Sequence, residues 1–357
     1  MKRCLAAFGR MLKNVRGFEE GFSRRPPNTF RPMLPRGLEP AGDGRSRPCR
    51  GSAGVVVART ILVFLVATPL RAERQEQRHA GPIRVETNLV NVLASVIDQN
   101  GEPIPDLAED AFQLSEEGVP QRIERFEAET NRPLDLALMV DSSMSAFKEL
   151  KFETEAAAHF IRQVVRPGDT LAVFEFSESV SELSEFSSDV PRLEAAARRI
   201  LPGAGTSIYD AVVLGSNALR RRPEGRRRAV VLVTDAGETT SSSKFDDARR
   251  AAIASGALLY SIVIRPIKSE SGRNTAGEHA LITITDSTGG AMFILDALDQ
   301  LDAMFDRIDR ELRTQYLLGY YPNPVPPAGS LRHLGVKVKS GSTVRYRKEY
   351  FTSGATN

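Results

Sequence analysis

Asp141, Ser142, Ser143 and Ser145 place one carboxylate and three hydroxyls within five residues, directly after the apolar run "LDLALMV". Asp235 follows a second apolar run, "VVLVT", and Thr206 stands in the loop "GAGTS". Helix capping explains a single Asp or Ser at the end of a strand. It does not explain an acid followed by hydroxyls at alternating positions, with a further acid and hydroxyl in matching places downstream. Oxygen donors alone suit a hard divalent cation. Mg2+ in particular takes octahedral oxygen ligands and keeps some of its water.

Other chemistries find less support. A serine hydrolase needs a nucleophile, a base and an orienting acid. The chain has no Gly-x-Ser-x-Gly, and its histidines are His79, His159, His279 and His333. "GEHAL" inverts part of a zinc motif but lacks a second His. "GAGTSI" lacks the third glycine of a dinucleotide loop. The run "LRRRPEGRRR", up to Arg228, could attract an acidic partner, but it reads as a solvated turn before a strand. Asp210 in "SIYDA" reads as a brace for its own loop.

Three separate segments can deliver these oxygens to one place only if the elements between them are ordered. From residue 131 to 312, apolar strands alternate with helical spacing. "LDLALMV", "TLAVFEF", "AVVLVT", "ALLYSIVI" and "AMFIL" are continuous apolar runs. Leu150, Thr154, Ala157, Ile161 and Val164 mark a helix between the first two. Leu298, Leu301, Phe305, Ile308 and Leu312 mark the last helix. Such alternation predicts a doubly wound, mostly parallel α/β sheet. Ligands in these sheets gather at the carboxyl ends of the strands, where Asp141, Thr206 and Asp235 fall.

The Asp-x-Ser-x-Ser of Asp141, Ser143 and Ser145, the Gly205-Thr206 loop and Thr234-Asp235 after a strand resemble the metal-ion-dependent adhesion site of the von Willebrand factor type A fold. The flanks "DQNGEPIPDL…GVPQRIERF" and "QYLLGYYP…YRKEYF" resemble a bacterial subgroup of exported proteins with this domain. The resemblance implies that Ser143, Ser145 and Thr206 coordinate Mg2+, with Asp141 and Asp235 bound directly or through water, and with Mn2+ or Ca2+ as substitutes. It also implies a protein ligand that supplies an Asp or Glu carboxylate to the cation. Two positions depart from the family pattern: Met144 and Ala236 stand where Gly is common. If position 236 needs a positive φ, alanine is costly there.

On either side lie shorter β patterns. In residues 82–130, Val90, Val92, Ala94 and Val96 share one face of a strand, and two short strands flank Glu117-Gly118. In residues 313–357, "TQYLLGYYP" is a strand, and "LRHLGVKVKSGSTVRYRKEYF" reads as a hairpin turning at Ser340-Gly341-Ser342. Neither segment has enough strands to bury an apolar face alone. The two are therefore expected to form one small β-sandwich around the inserted α/β unit. Val90, Val92, Val96, Leu334, Val336, Val338 and Tyr346 would share its core.

Composition sets the compartment and excludes one class of partner. Residues 1–50 carry twelve Lys/Arg against four Asp/Glu, and Arg59 and Arg71 add two more positive charges. Of the net +3, residues 73–357 therefore hold −7. An acidic main body argues against nucleic acid as partner. Residues 1–52 are rich in Arg and Pro and read as a disordered leader. Residues 53–72 read as a signal peptide, with Arg59 before a short apolar run and Ala72 as cleavage residue, followed by a linker over 73–81. Leu70 is large for a cleavage site, so the segment could instead stay as an anchor and give the chain its one link to a membrane. Cys4 and Cys49 both lie in the leader, leaving no disulfide beyond it. Together these features predict a periplasmic or secreted, non-enzymatic binding and adhesion module. The alternatives are a metal-dependent hydrolase and a structural envelope protein whose metal site is empty.

Overall fold

A computed structural model describes residues 89–128, 132–143, 150–265 and 274–352. The leader, signal and linker segments, together with Met144 and Ser145, lie outside the described residues. Among the described residues no helix is long and apolar enough to cross a membrane.

The central layer is a six-stranded sheet. Its strands are β5 (Leu134–Asp141), β6 (Thr170–Phe176), β7 (Val180–Ser187), β8 (Arg227–Thr234), β9 (Leu258–Ile264) and β10 (Met292–Leu295), in the order β10-β9-β8-β5-β6-β7. All neighbours are parallel except β7, an antiparallel edge strand. The sequence reading passed over β7, because "VSELSEFS" alternates weakly and only Ser184 in it is buried. Every residue of β5 is buried, as its continuous apolar run requires.

Period-two alternation divides β5 between two cores. Leu134, Leu136, Leu138 and Val140 pack with α1 (Leu150–Val164), α2 (Val190–Ala197) and α6 (Leu301–Arg313). Ala137 and Met139 pack with α3 (Ile208–Arg220), α4 (Phe245–Ser255) and α5 (Thr275–Thr288). Phe160 of α1 stacks on Phe305 of α6 at 4.4 Å between ring centroids. On the opposite face, a Cβ at Gly215 would stand 2.5 Å from Met139 Sδ, so α3 approaches β5 closely because that residue is glycine.

The flanking strands form two four-stranded sheets. β1 (Val90–Ile97) and β4 (Arg125–Glu127) combine with β11 (Tyr316–Tyr320) and β13 (Thr343–Tyr346) in the order β13-β1-β11-β4. β2 (Phe112–Glu116) and β3 (Val119–Gln121) combine with β12 (Leu331–Val338) and β14 (Glu349–Phe351) in the order β14-β12-β2-β3. Each sheet thus mixes strands from before and after the α/β unit. One core unites them: Val90, Val92, Val96, Leu334, Val336 and Val338 are buried in it, and Tyr346 is half-buried against it.

The expected C-terminal hairpin forms only at its open end, where β12 and β14 pair antiparallel with Leu331 opposite Phe351. β12 pairs with β2, Val336 opposite Leu114, whereas β13 pairs with β1, Val344 opposite Val96. The turn at Gly341 (φ 74°) carries the chain from one sheet to the other. Turn residues fix the sharpness of a bend, but β12 buries Leu334, Val336 and Val338 from one side of the core while Val344 and Tyr346 of β13 pack against it from the other. The arginine run is solvated only in part, with Arg220, Arg221 and residues 223–225 exposed. Arg222 and Arg226 reach the buried Asp135 at 3.2 and 2.8 Å, and Arg227 is itself buried.

Candidate metal centre

In the six-stranded sheet the chain winds outward in both directions from the adjacent pair β5 and β8. Their carboxyl ends define the crevice where such sheets hold ligands. Asp141 is the last residue of β5, and Asp235 directly follows β8. Asp141 is 1% exposed. Its Oδ2 accepts a hydrogen bond from Thr234 Oγ1 at 2.6 Å, and its Oδ1 accepts one from the Ser143 N–H at 2.9 Å. Burial pushes the Asp141 carboxyl up to about 6, against the lowering effect of those two bonds, and the nearby charge of Asp235 adds to the rise.

The intervening hydroxyls take different roles. Ser142 turns toward β6, donating from N–H and Oγ to the Phe176 carbonyl at 2.8 and 3.3 Å. Its own carbonyl accepts from Gly203 N–H at 2.7 Å, and Ser143 forms a parallel bridge with Gly203. That bridge draws the "GAGTS" loop to the end of β5. Ser143 and Thr206 are both buried there, at 3% and 4% exposure.

Thr206 is held by its backbone. Its N–H donates to Thr239 Oγ1 at 2.8 Å, and its carbonyl accepts from the N–H groups of Thr239 and Thr240 at 2.9 and 3.1 Å. Its hydroxyl makes no hydrogen bond among the described residues, and the next hydroxyl, Ser207 Oγ, is buried without a partner. Gly205 adopts φ 69°, and a Cβ there would stand 2.6 Å from Thr240 Cγ2.

The segment after β8 braces this loop, a role the sequence reading missed. Glu238 Oε2 and Ser241 Oγ both accept from the Tyr209 N–H, in the first turn of α3, at 3.2 and 3.0 Å. Asp210 accepts from the N–H groups of Ser242 and Ser243, each at 2.8 Å. Asp210 thus braces the loop of another element and not its own. Burial opposes ionisation of Asp210, but these bonds prevail and hold its carboxyl below the usual range. Ser, Thr and acidic residues clustered after a strand are the one sequence sign of such a brace.

Asp235 accepts from the Gly237 N–H at 2.8 Å. Between them Ala236 is buried with φ 65°, the positive value at which alanine is strained. Its carbonyl oxygen would lie 2.0 Å from a Cβ at Gly277, so the start of α5 needs glycine at that point.

The structure therefore brings Asp141, Ser143, Thr206 and Asp235 to one rim, while Ser145 lies outside the described residues. The donor set fits a hard divalent cation. It is made of oxygen, and it places two mutually repelling carboxylates beside buried hydroxyls. No three His, Cys, Asp or Glu side chains cluster as a metal set among the described residues, so a cation here depends on the hydroxyls. His159, His279 and His333 stand on α1, α5 and β12.

Residues 136–238, from β5 to just past β8, match the family described as von Willebrand factor type A domain. Among solved structures, BatB from Bacteroides thetaiotaomicron is similar at 15% identity and a TM-score of 0.41, covering 50% of this chain and 98% of that one. The vWF domain of the type V pili tip protein Mfa5 from Porphyromonas gingivalis is similar at 12% identity and 0.42, covering 51% and 96%. A von Willebrand factor type A protein from Catenulispora acidiphila is similar at 11% identity and 0.44, covering 76% and 75%. No curated protein sequence matches the chain.

Proposed function

We propose that the protein is an exported, non-enzymatic binding module that engages a protein partner through Mg2+ held by Asp141, Ser143, Ser145, Thr206 and Asp235. The observation that carries this reading is the pair Asp141 and Asp235, two carboxylates at the ends of adjacent central strands whose charges oppose each other until a cation joins them. When bound, Mg2+ supplies a Lewis-acidic position for an acidic side chain of the partner. The protein's residues do the rest. Thr234 orients Asp141, the bridge to Gly203 positions Ser143, and the 238–243 segment fixes Thr206.

Calorimetry of the full chain with Mg2+ and with Mn2+ tests the reading. Saturable binding is expected in the wild type and none in Asp141→Ala, with circular dichroism confirming that the variant folds. Absence of binding in the wild type, or unchanged affinity in the variant, would overturn it.

A further inference from the structure

At the opposite end of the six-stranded sheet, where β8 begins, a cleft of about 140 Å³ lies between the α/β unit and the β-sandwich. Five arginines line it: Arg132, Arg226, Arg227, Arg228 and Arg347. Two have acidic partners, Arg132 with Glu127 and Arg226 with Asp135. The other three form no ion pair among the described residues, although Asp169 acts on Arg227 from farther away, and Asp135 and Glu224 act on Arg228. Arg227 donates to the carbonyls of Arg132 and Leu312 and to Gln315 Oε1. Arg228 donates to the carbonyls of Ser255 and Arg222 at 3.0 and 2.9 Å. Arg347 donates to the Asn91 carbonyl at 2.7 Å, and its Nη1 would lie 3.9 Å from a Cβ at Gly256.

Carbonyl and amide oxygens orient these guanidinium groups, and that of Arg347 also lies over the Tyr350 ring at 5.2 Å, but no carboxylate pairs with them directly. The Nε of Arg228 and the Nε of Arg347 are both buried with no hydrogen-bond partner. Burial lowers the basicity of all three arginines, that of Arg227 to about 10 with repulsion from Arg313 adding to it. Buried polar groups without partners are costly, and unpaired buried charges more so. The arrangement is balanced once an anion enters.

We infer that this cleft binds a small tetrahedral oxyanion of the phosphate or sulfate class, joining Arg227 and Arg228 of the α/β unit to Arg347 of the β domain. Guanidinium forks match oxyanion geometry. The volume decides the size of the ligand. One water needs only about 10–15 Å³ of such space, so the cleft has room for a small hydrated ion. It is well below the roughly 300 Å³ at which pockets for larger organic ligands begin.

The test is a titration of the full chain with inorganic phosphate, followed by calorimetry and thermal unfolding. A saturable 1:1 heat and a rise in Tm are expected, neither reproduced by chloride at equal ionic strength. Arg228→Gln and Arg347→Gln should each weaken binding at least tenfold. Asp141→Ala should bind phosphate unchanged. Sulfate and glycerol phosphate distinguish the source: equal binding of the ester identifies a phosphorylated molecule, and its exclusion identifies the free ion. The inference is overturned if the wild type gives no saturable heat, or if both glutamine variants bind phosphate as the wild type does.

Discussion

Thr234 Oγ1 donates a 2.6 Å hydrogen bond to Asp141 Oδ2, tying the ends of β8 and β5 together inside the protein. Thr234→Val keeps the side-chain volume and removes the donor. The carboxylate then loses one of its orienting bonds, and a hydrogen bond to a charged group contributes about 1.5–3 kcal/mol. Mg2+ affinity measured by calorimetry should fall at least tenfold, and chemical denaturation should show a stability loss of that size.

Ala236 is strained in the left-handed region, which costs an L-residue about 1–2 kcal/mol. Ala236→Gly relieves the strain and gives back part of the gain through the freedom of the unfolded chain. Urea unfolding should show the variant about 0.5–1 kcal/mol more stable. Gly277→Ala should do the reverse, because its Cβ would collide with the Ala236 carbonyl.

Asp135 is buried at the base of β5. Burial opposes its ionisation, but hydrogen bonds from Arg226, Thr170 and Arg222 prevail and hold its carboxyl below the ordinary 3.8. A carboxylate lowered by folding stabilises the native state above its unfolded value and loses that effect as pH falls through the folded value. Asp135→Asn should therefore be clearly less stable than wild type at pH 7. The gap should close as pH drops below 3.8, as followed by denaturant unfolding at stepped pH.

Val336 is buried in the shared β core, opposite Leu114 of β2. Val336→Asp buries an unpaired charge, a change of about 3–5 kcal/mol. Hydrogen exchange should show β1 and β11, in the facing sheet, losing protection together with β12. Loss confined to β12 and its direct neighbours would contradict a single core.

Much of this was legible in the sequence, for identifiable reasons. The continuous run "LDLALMV" cannot be half-exposed, so β5 had to be central, and Asp141 had to emerge at its end. Val90, Val92 and Val96 alternate strictly, which fixed their common face. What escaped was non-local. Nothing near Ser340-Gly341-Ser342 indicates that β13 joins β1 and not β12. Glu238, Ser241 and Asp210 look like loop polarity until α3 is placed beside the end of β8. The arginines after α3 look solvated until Asp135 is known to lie beneath them.

The mixing of early and late strands also dictates an order of events. Glu116 and Tyr320 are hydrogen-bonded at 3.1 Å although 204 positions separate them. Contacts over such a span form only after a long loop closes, and the cost of closure falls when the loop is already compact. The α/β unit is that loop. As synthesis proceeds, β1 and β4 leave the ribosome without their partner strands, β2 has only β3, and all four wait while the whole domain behind them collapses. Not until β11 to β14 follow does the waiting half gain its other half. Chaperone demand and aggregation during production should therefore centre on residues 90–127, the stretch that stays incomplete longest.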